Sequence, residues 1–109
     1  MNRFLICLAF LSVSAAVSAA PRDAKADGEK VFAAQKCSLC HSIAGKGNAK
    51  GPLDAVGSKL SDGDIRLWIT DAKGMTEKTK ATRKPAMKAY ALPKEDVDAL
   101  AAYLSSLKK

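Results

Sequence analysis

Near the end of the chain, apolar residues fall at Val97, Leu100, Ala101, Leu104 and Leu107. Spacings of three and four put them on one stripe of an α-helix. Pro93 suits the first turn of that helix, Glu95, Asp96 and Asp98 enrich its early turns, and Lys108 and Lys109 close it. A second helix is predicted from Ser61-Asp62-Gly63-Asp64, with Ser61 as cap and Asp64 placed to complement the helix N-terminus. Ile65, Leu67, Trp68 and Ile69 carry its apolar positions to about Ala72, and Gly74 is the expected stop. A third is predicted from Ala26 or Asp27 to about Lys36, with Asp27 as N-cap. Val31, Phe32 and Gln35 can share one of its faces, and Gly28 lies a turn before Phe32. Between these elements, residues 43–51 hold three glycines and one asparagine and read as loop. Residues 73–91 read as a basic, irregular stretch around Pro85. No segment alternates cleanly as a strand, and no repeat or low-complexity tract occurs. The pattern predicts an all-α chain of three to four short helices with long loops.

The beginning of the chain follows a different logic. Arg3 precedes an apolar run, Phe4 to Leu11, and then small residues from Ser12 to Ala20. This is the pattern of a secretory signal peptide, and the run is too short to span a bilayer. Because Pro21 would be a poor first residue after a cut, cleavage is expected after Ala19, giving a signal segment of residues 1–19, a flexible leader over 20–25 and one domain over 26–109. An uncleaved anchor fits less well, since no basic stop-transfer flank follows the apolar run. About 90 of the 109 residues then remain. Chains of that size often need a disulfide, a metal or a cofactor to complete a core.

Charge narrows the partners. The formal net charge of the chain is +7, or +6 once Arg3 is removed. That balance suits an acidic docking surface on another molecule. Nucleic acid is disfavoured, because there is no aromatic-interleaved basic stripe, zinc-finger spacing or recognition-helix pattern.

Removing the signal segment also removes Cys7 and leaves Cys37 and Cys40, followed at once by the single histidine, His41. Cys37-Ser38-Leu39-Cys40-His41 is C-x-x-C-H, which reads as c-type haem attachment. The two sulfurs lie about one turn apart and can reach the two vinyl groups on one porphyrin edge, while the adjacent imidazole swings under the ring to bind iron. Haem c and its iron would then form the redox centre and much of the missing core. Three plainer readings fit worse. A Cys37–Cys40 disulfide would close a very small loop. A thioredoxin-type pair expects a βαβ setting. A zinc site wants a fourth ligand, and no second Cys/His pair exists.

Methionine commonly completes such an iron site and raises its reduction potential. The two candidates are Met75, just after the expected helix end at Gly74, and Met87, in Lys84-Pro85-Ala86-Met87. Pro85 would stiffen the approach to Met87, an advantage for a loop that must place one thioether. Either methionine could instead be an ordinary apolar filler.

From about Ala26 to Leu107 the chain resembles the small class I c-type cytochromes of bacteria. The matching features run in order: Gly28-x-x-x-Phe32 on the first helix, the haem motif at its end, Gly51-Pro52-Leu53, and a methionine some dozen residues before the middle of the last helix. The resemblance implies the cytochrome c fold, wrapped around one covalent haem. Gly28 would let the first and last helices cross closely, and Phe32 would meet Leu100, Tyr103 and Leu104. Pro52 would offer its carbonyl to the second ring nitrogen of His41, and Met87 would be the second iron ligand. Two features depart from the family pattern: Lys88 stands where proline often follows the methionine, and the stretch between His41 and Gly51 is short. Trp68 could reach the haem edge or serve as core.

The expected activity is single-electron transfer by a periplasmic, monomeric carrier, and not catalysis on a substrate. Lys73, Lys78, Lys80, Arg83, Lys84 and Lys88, opposed locally by Glu77, would steer it to an acidic redox partner. An open-site haem sensor, a peroxidase-like protein, and a subunit of a larger respiratory complex are the alternatives.

Overall fold

The computed structural model describes residues 23–109. The expected signal segment, residues 1–19, lies outside the described residues, as do residues 20–22 of the expected leader. Helix α1 (Ala24–Ala34) starts earlier than the sequence reading placed it. Its N-cap is Asp23, whose carboxylate accepts from the backbone N–H groups of Lys25 and Ala26. Asp27 therefore sits inside the first turn, where it complements the helix dipole instead of capping it. The helix ends at Ala34 with Gln35 as its C-cap, and Lys36, in the left-handed conformation at φ 55°, turns the chain into a single 3₁₀ turn, Cys37–Leu39.

The glycine-rich stretch is more ordered than a plain loop. Two short strands, β1 (Ser42–Ile43) and β2 (Lys46–Gly47), pair antiparallel, Ser42 opposite Gly47 and Ile43 opposite Lys46. Ala44 and Gly45, both at positive φ, form the two-residue turn between them. A one-turn helix, α2 (Val56–Lys59), follows.

Helix α3 (Asp62–Thr70) begins as expected, with the Ser61 hydroxyl accepting from the Asp64 N–H at 3.1 Å. The next segment corrects the reading of residues 73–91 as wholly irregular. Asp71 ends α3 and caps a new helix, α4 (Ala72–Thr79), by accepting from the Gly74 N–H. Gly74 is thus not a stop: a Cβ there would lie 2.4 Å from the Asp71 carboxylate, so glycine is what lets that cap close. Residues 81–91 remain without regular structure. Helix α5 (Lys94–Ser105) carries the predicted stripe, with Val97, Leu100, Ala101 and Leu104 buried and Leu107 half-buried.

Among the described residues the class is all-α apart from the small hairpin, and the α-helices there number five because the sequence pattern does not show α2 and α4. The core joins Ile65 and Ile69 of α3 to Val97, Leu100, Ala101 and Leu104 of α5, with Val31 and Phe32 of α1 packed against it. Helices α1 and α5 cross closely at Gly28, where a Cβ would lie 2.3 Å from the Ala99 carbonyl. One turn on, the rings of Phe32 and Tyr103 meet edge to face at 6.1 Å.

Candidate functional site

The core is open on one side. Ile65, Ile69, Leu100 and Leu104 turn part of their surface toward a cavity of about 620 Å³. The volume is that of a pocket for a sizeable organic group. Cys37, Cys40, His41 and Met87 all line it, and Trp68 and Tyr90 contribute aromatic surface. Cys37 and Cys40 are not joined to each other by a disulfide. Burial pushes the Cys37 thiol above its ordinary value, against an opposing backbone hydrogen bond.

The backbone around His41 is heavily cross-linked. The Asn48 N–H is shared between the carbonyls of Ser38 and His41, both at 3.1 Å, and its side-chain amide donates to the Leu39 carbonyl at 3.2 Å. Gly47 lies so close that a Cβ would stand 2.2 Å from the His41 carbonyl. The His41 ring is itself fixed: Nδ1 lies 3.0 Å from the Gly51 carbonyl, which also accepts from the Ser42 N–H. A carbonyl can only accept, so Nδ1 carries the proton and Nε2 keeps a free lone pair for a metal. Burial lowers the His41 pKa from its ordinary value; the Gly51 bond opposes that shift and the Arg83 charge adds to it.

This corrects one expected role. The carbonyl that orients His41 belongs to Gly51, not Pro52. Pro52 forms a parallel bridge beside Ser42, and the Leu53 N–H bonds back to the Ser42 carbonyl at 2.8 Å. Ser42 thus holds the 51–53 segment in a register that leaves Gly51 facing the imidazole. The sequence placed the pairing in the right tripeptide and missed by one residue.

The two methionines separate. Met75 is buried on α4, in the place its spacing from Ala72 gives it, and does not line the cavity. Met87 is half-buried and does line it. Trp68 is half-buried on the cavity wall and Tyr103 packs on Phe32 away from it. Arg83 was read only as surface charge, yet its guanidinium donates to the Cys40 carbonyl. No local signal could have found this, because the partners are 43 residues apart.

Two thiols and an imidazole with its distal nitrogen free, on the wall of an apolar cavity, suit a porphyrin bound through thioethers and iron. The thiols supply the sulfur for the covalent bonds, the imidazole supplies a neutral nitrogen ligand, and the apolar lining suits the ring faces.

Comparison with known proteins agrees with this donor set. Residues 25–108 match the family described as Cytochrome c. The chain is 32% identical over 90 residues to cytochrome c oxidase subunit 2 of Alkalihalophilus pseudofirmus. That alignment takes in 74% of this chain and 25% of the relative, so the chain spans about a quarter of that protein's length. No solved structure matches.

Proposed function

The chain belongs to the cytochrome c family, and from that premise we propose that it is a periplasmic carrier of single electrons, with His41 and Met87 as the two iron ligands, and not an enzyme. The covalent haem c that membership brings supplies a one-electron couple. The observation that carries the finer reading is that Cys37, Cys40, His41 and Met87 all line one cavity while Met75 does not.

Each residue then has a task. Cys37 and Cys40 anchor the group. Gly51 holds the protonated Nδ1 of His41, which fixes the ring and strengthens Nε2 as a donor. Met87, at the second iron position, would exclude small ligands and raise the potential above that of a two-histidine site. The apolar side chains of α3 and α5 exclude water from the centre, so little has to rearrange when the charge changes.

Export underlies the periplasmic assignment. The signal pattern over residues 1–19 supports it, and mass spectrometry of the mature protein should give a chain beginning at Ala20. The absence, among the described residues, of any helix long and apolar enough to cross a membrane is compatible with it. The basic residues of α4 and of 81–91 are exposed, and Arg83 and Lys88 border the cavity itself. We read that face as the docking surface for an acidic redox partner, reached by a monomer in brief encounters. Electron exchange with such a partner should slow as salt rises, because screening shortens the reach of these charges to about 8 Å at physiological strength. A rate independent of salt would remove the steering.

The deciding experiment is a visible spectrum of the purified mature protein, oxidised, then reduced, then with carbon monoxide. A c-type reduced band with no response to carbon monoxide is the expected result, and Met87→Ala should make the reduced form respond. A wild-type protein that binds carbon monoxide would overturn the closed site, and no haem spectrum would overturn the whole reading. The match to an oxidase subunit favours one second reading, that the chain works as a fixed part of an oxidase. Stable co-purification with a larger complex would distinguish that from a free carrier.

A further inference from the structure

Met87 lies on a segment, residues 81–91, that has no regular structure to set its position. The Ala81 N–H bonds to the Thr76 carbonyl at the end of α4, and the Tyr90 N–H bonds to the Ile69 carbonyl at 2.8 Å. Between those ties stands Arg83, four residues before Met87. Its Nη2 donates to the carbonyl of Cys40. Its Nη1 rests in a notch over Gly51, where a Cβ would lie 2.2 Å from that nitrogen and 2.3 Å from the Cys40 carbonyl oxygen. A side chain at position 51 would therefore displace the guanidinium. The Gly51 carbonyl is the same one that holds the His41 ring. Among the described residues Arg83 makes no ion pair.

We propose that Arg83 is a positioning residue that pins the methionine-bearing segment to the Cys40–His41 and Gly51 backbone, so that the two iron ligands are held by one side chain spanning both segments. The proposal rests on Met87 being the second ligand. Arginine suits the task because its planar, multi-donor head can bond the Cys40 carbonyl while another of its nitrogens lies close over the glycine. A lysine ammonium is a point charge on a flexible stem and cannot occupy both places. Glycine at 51 thus has a reason beyond the turn: it is the floor on which the guanidinium lies.

The test is displacement of the methionine from the ferric holoprotein by imidazole, with the reduction potential and thermal melting measured alongside. Arg83→Gln should raise apparent imidazole affinity about ten-fold, the effect of one lost charge-assisted hydrogen bond, and lower the potential. Arg66→Ala, which removes the surface ion pairs to Asp62 and Asp98, none of them a cavity-lining residue, should lower melting and leave both other readouts at wild-type values. Arg83→Lys should fall between Arg83→Gln and wild type, and it carries the same titration if Arg83→Gln does not accumulate as holoprotein. Wild-type imidazole affinity and potential in Arg83→Gln would overturn the proposal. So would full wild-type behaviour in Arg83→Lys, which would assign the effect to charge alone. Met87→Ala separates this failure from a failure of the ligand assignment: if it binds imidazole no better than wild type, the methionine reading itself falls.

Discussion

Two segments that line the cavity, one carrying the cysteines and His41 and the other Met87, are built on opposite principles. The segment from Cys37 to Asp54 is cross-linked backbone to backbone. A 3₁₀ turn, a two-residue hairpin, the branched bonds of Asn48 and the bridge at Ser42 fix its carbonyls one against another. The segment from Ala81 to Ala91 has only the backbone bonds at its two ends, Ala81 N–H to the Thr76 carbonyl and Tyr90 N–H to the Ile69 carbonyl, and Pro85 and Ala86 are exposed even though they border the cavity. A group that is joined covalently needs both sulfurs and the imidazole in place together, and a stiff backbone provides that. A ligand that only has to arrive can be carried on a few ties. The cost is that local opening should concentrate on the methionine side, where little structure must be lost for the segment to lift.

The strongest way to break the comparison is to remove the covalent side. Replacing both Cys37 and Cys40 with serine should abolish covalent haem and leave a chain without a cooperative thermal transition, because the core faces a cavity of about 620 Å³. Haem staining after denaturing electrophoresis and circular dichroism on heating check both parts. A cooperative melt near that of the wild type would show that the helices sustain the core alone. Next in size, Gly47→Ala should cost about 2–3 kcal/mol, because Gly47 sits at φ +109° and a Cβ would press on the His41 carbonyl. The matching change on the other side, Lys84→Ala, should stay within about 0.5 kcal/mol. Equal costs at the two positions, read by denaturant titration, would erase the contrast. Asn48→Ala, which leaves the Leu39 carbonyl and the Lys50 N–H without their side-chain partner, should fall between them at about 1 kcal/mol.

How much of this could be read in the sequence follows the same division. The haem motif and the α5 stripe are local or periodic signals, the Gly28 crossing is what the family resemblance implies, and the helices that carry them lie close to their expected places. Helix α4 is not legible in the sequence, because Gly74 reads as a breaker unless it is taken together with Asp71, which needs room there to cap the helix. Asp27, next to the apolar positions, reads as the cap, but the cap requires only a carboxylate one residue before the first helical one, and that residue is Asp23. Gly51 and Arg83 lay beyond reach for another reason. Which carbonyl faces His41 depends on the pairing of Ser42 with residues 51–53, and Arg83 meets Cys40 only once the chain has folded around the cavity. Spacing along the chain does not encode contacts of that kind.

The smallest effect is expected where neither of the two segments is touched, and it sets the baseline for the rest. Arg66 on α3 bonds Asp62 at 2.7 Å and reaches across to Asp98 on α5, which Lys94 also contacts at 2.8 Å. Arg66, and then Lys94, hold the Asp98 carboxyl below its ordinary value of 3.8. The native state therefore favours the charged form, and the stabilisation is complete above the ordinary carboxylate range. It is lost as pH falls through the lower native value, where the wild type also protonates. Asp98→Asn should accordingly lower the melting temperature slightly at neutral pH. The difference from wild type should shrink on acidification below pH 3.8 and also in high salt, since these groups are exposed. Imidazole affinity and reduction potential should not move in this variant. A shift in either would mean that the α3–α5 contact reaches the iron ligands, and that the methionine segment is held through the core via Tyr90 and Ile69 more than through Arg83.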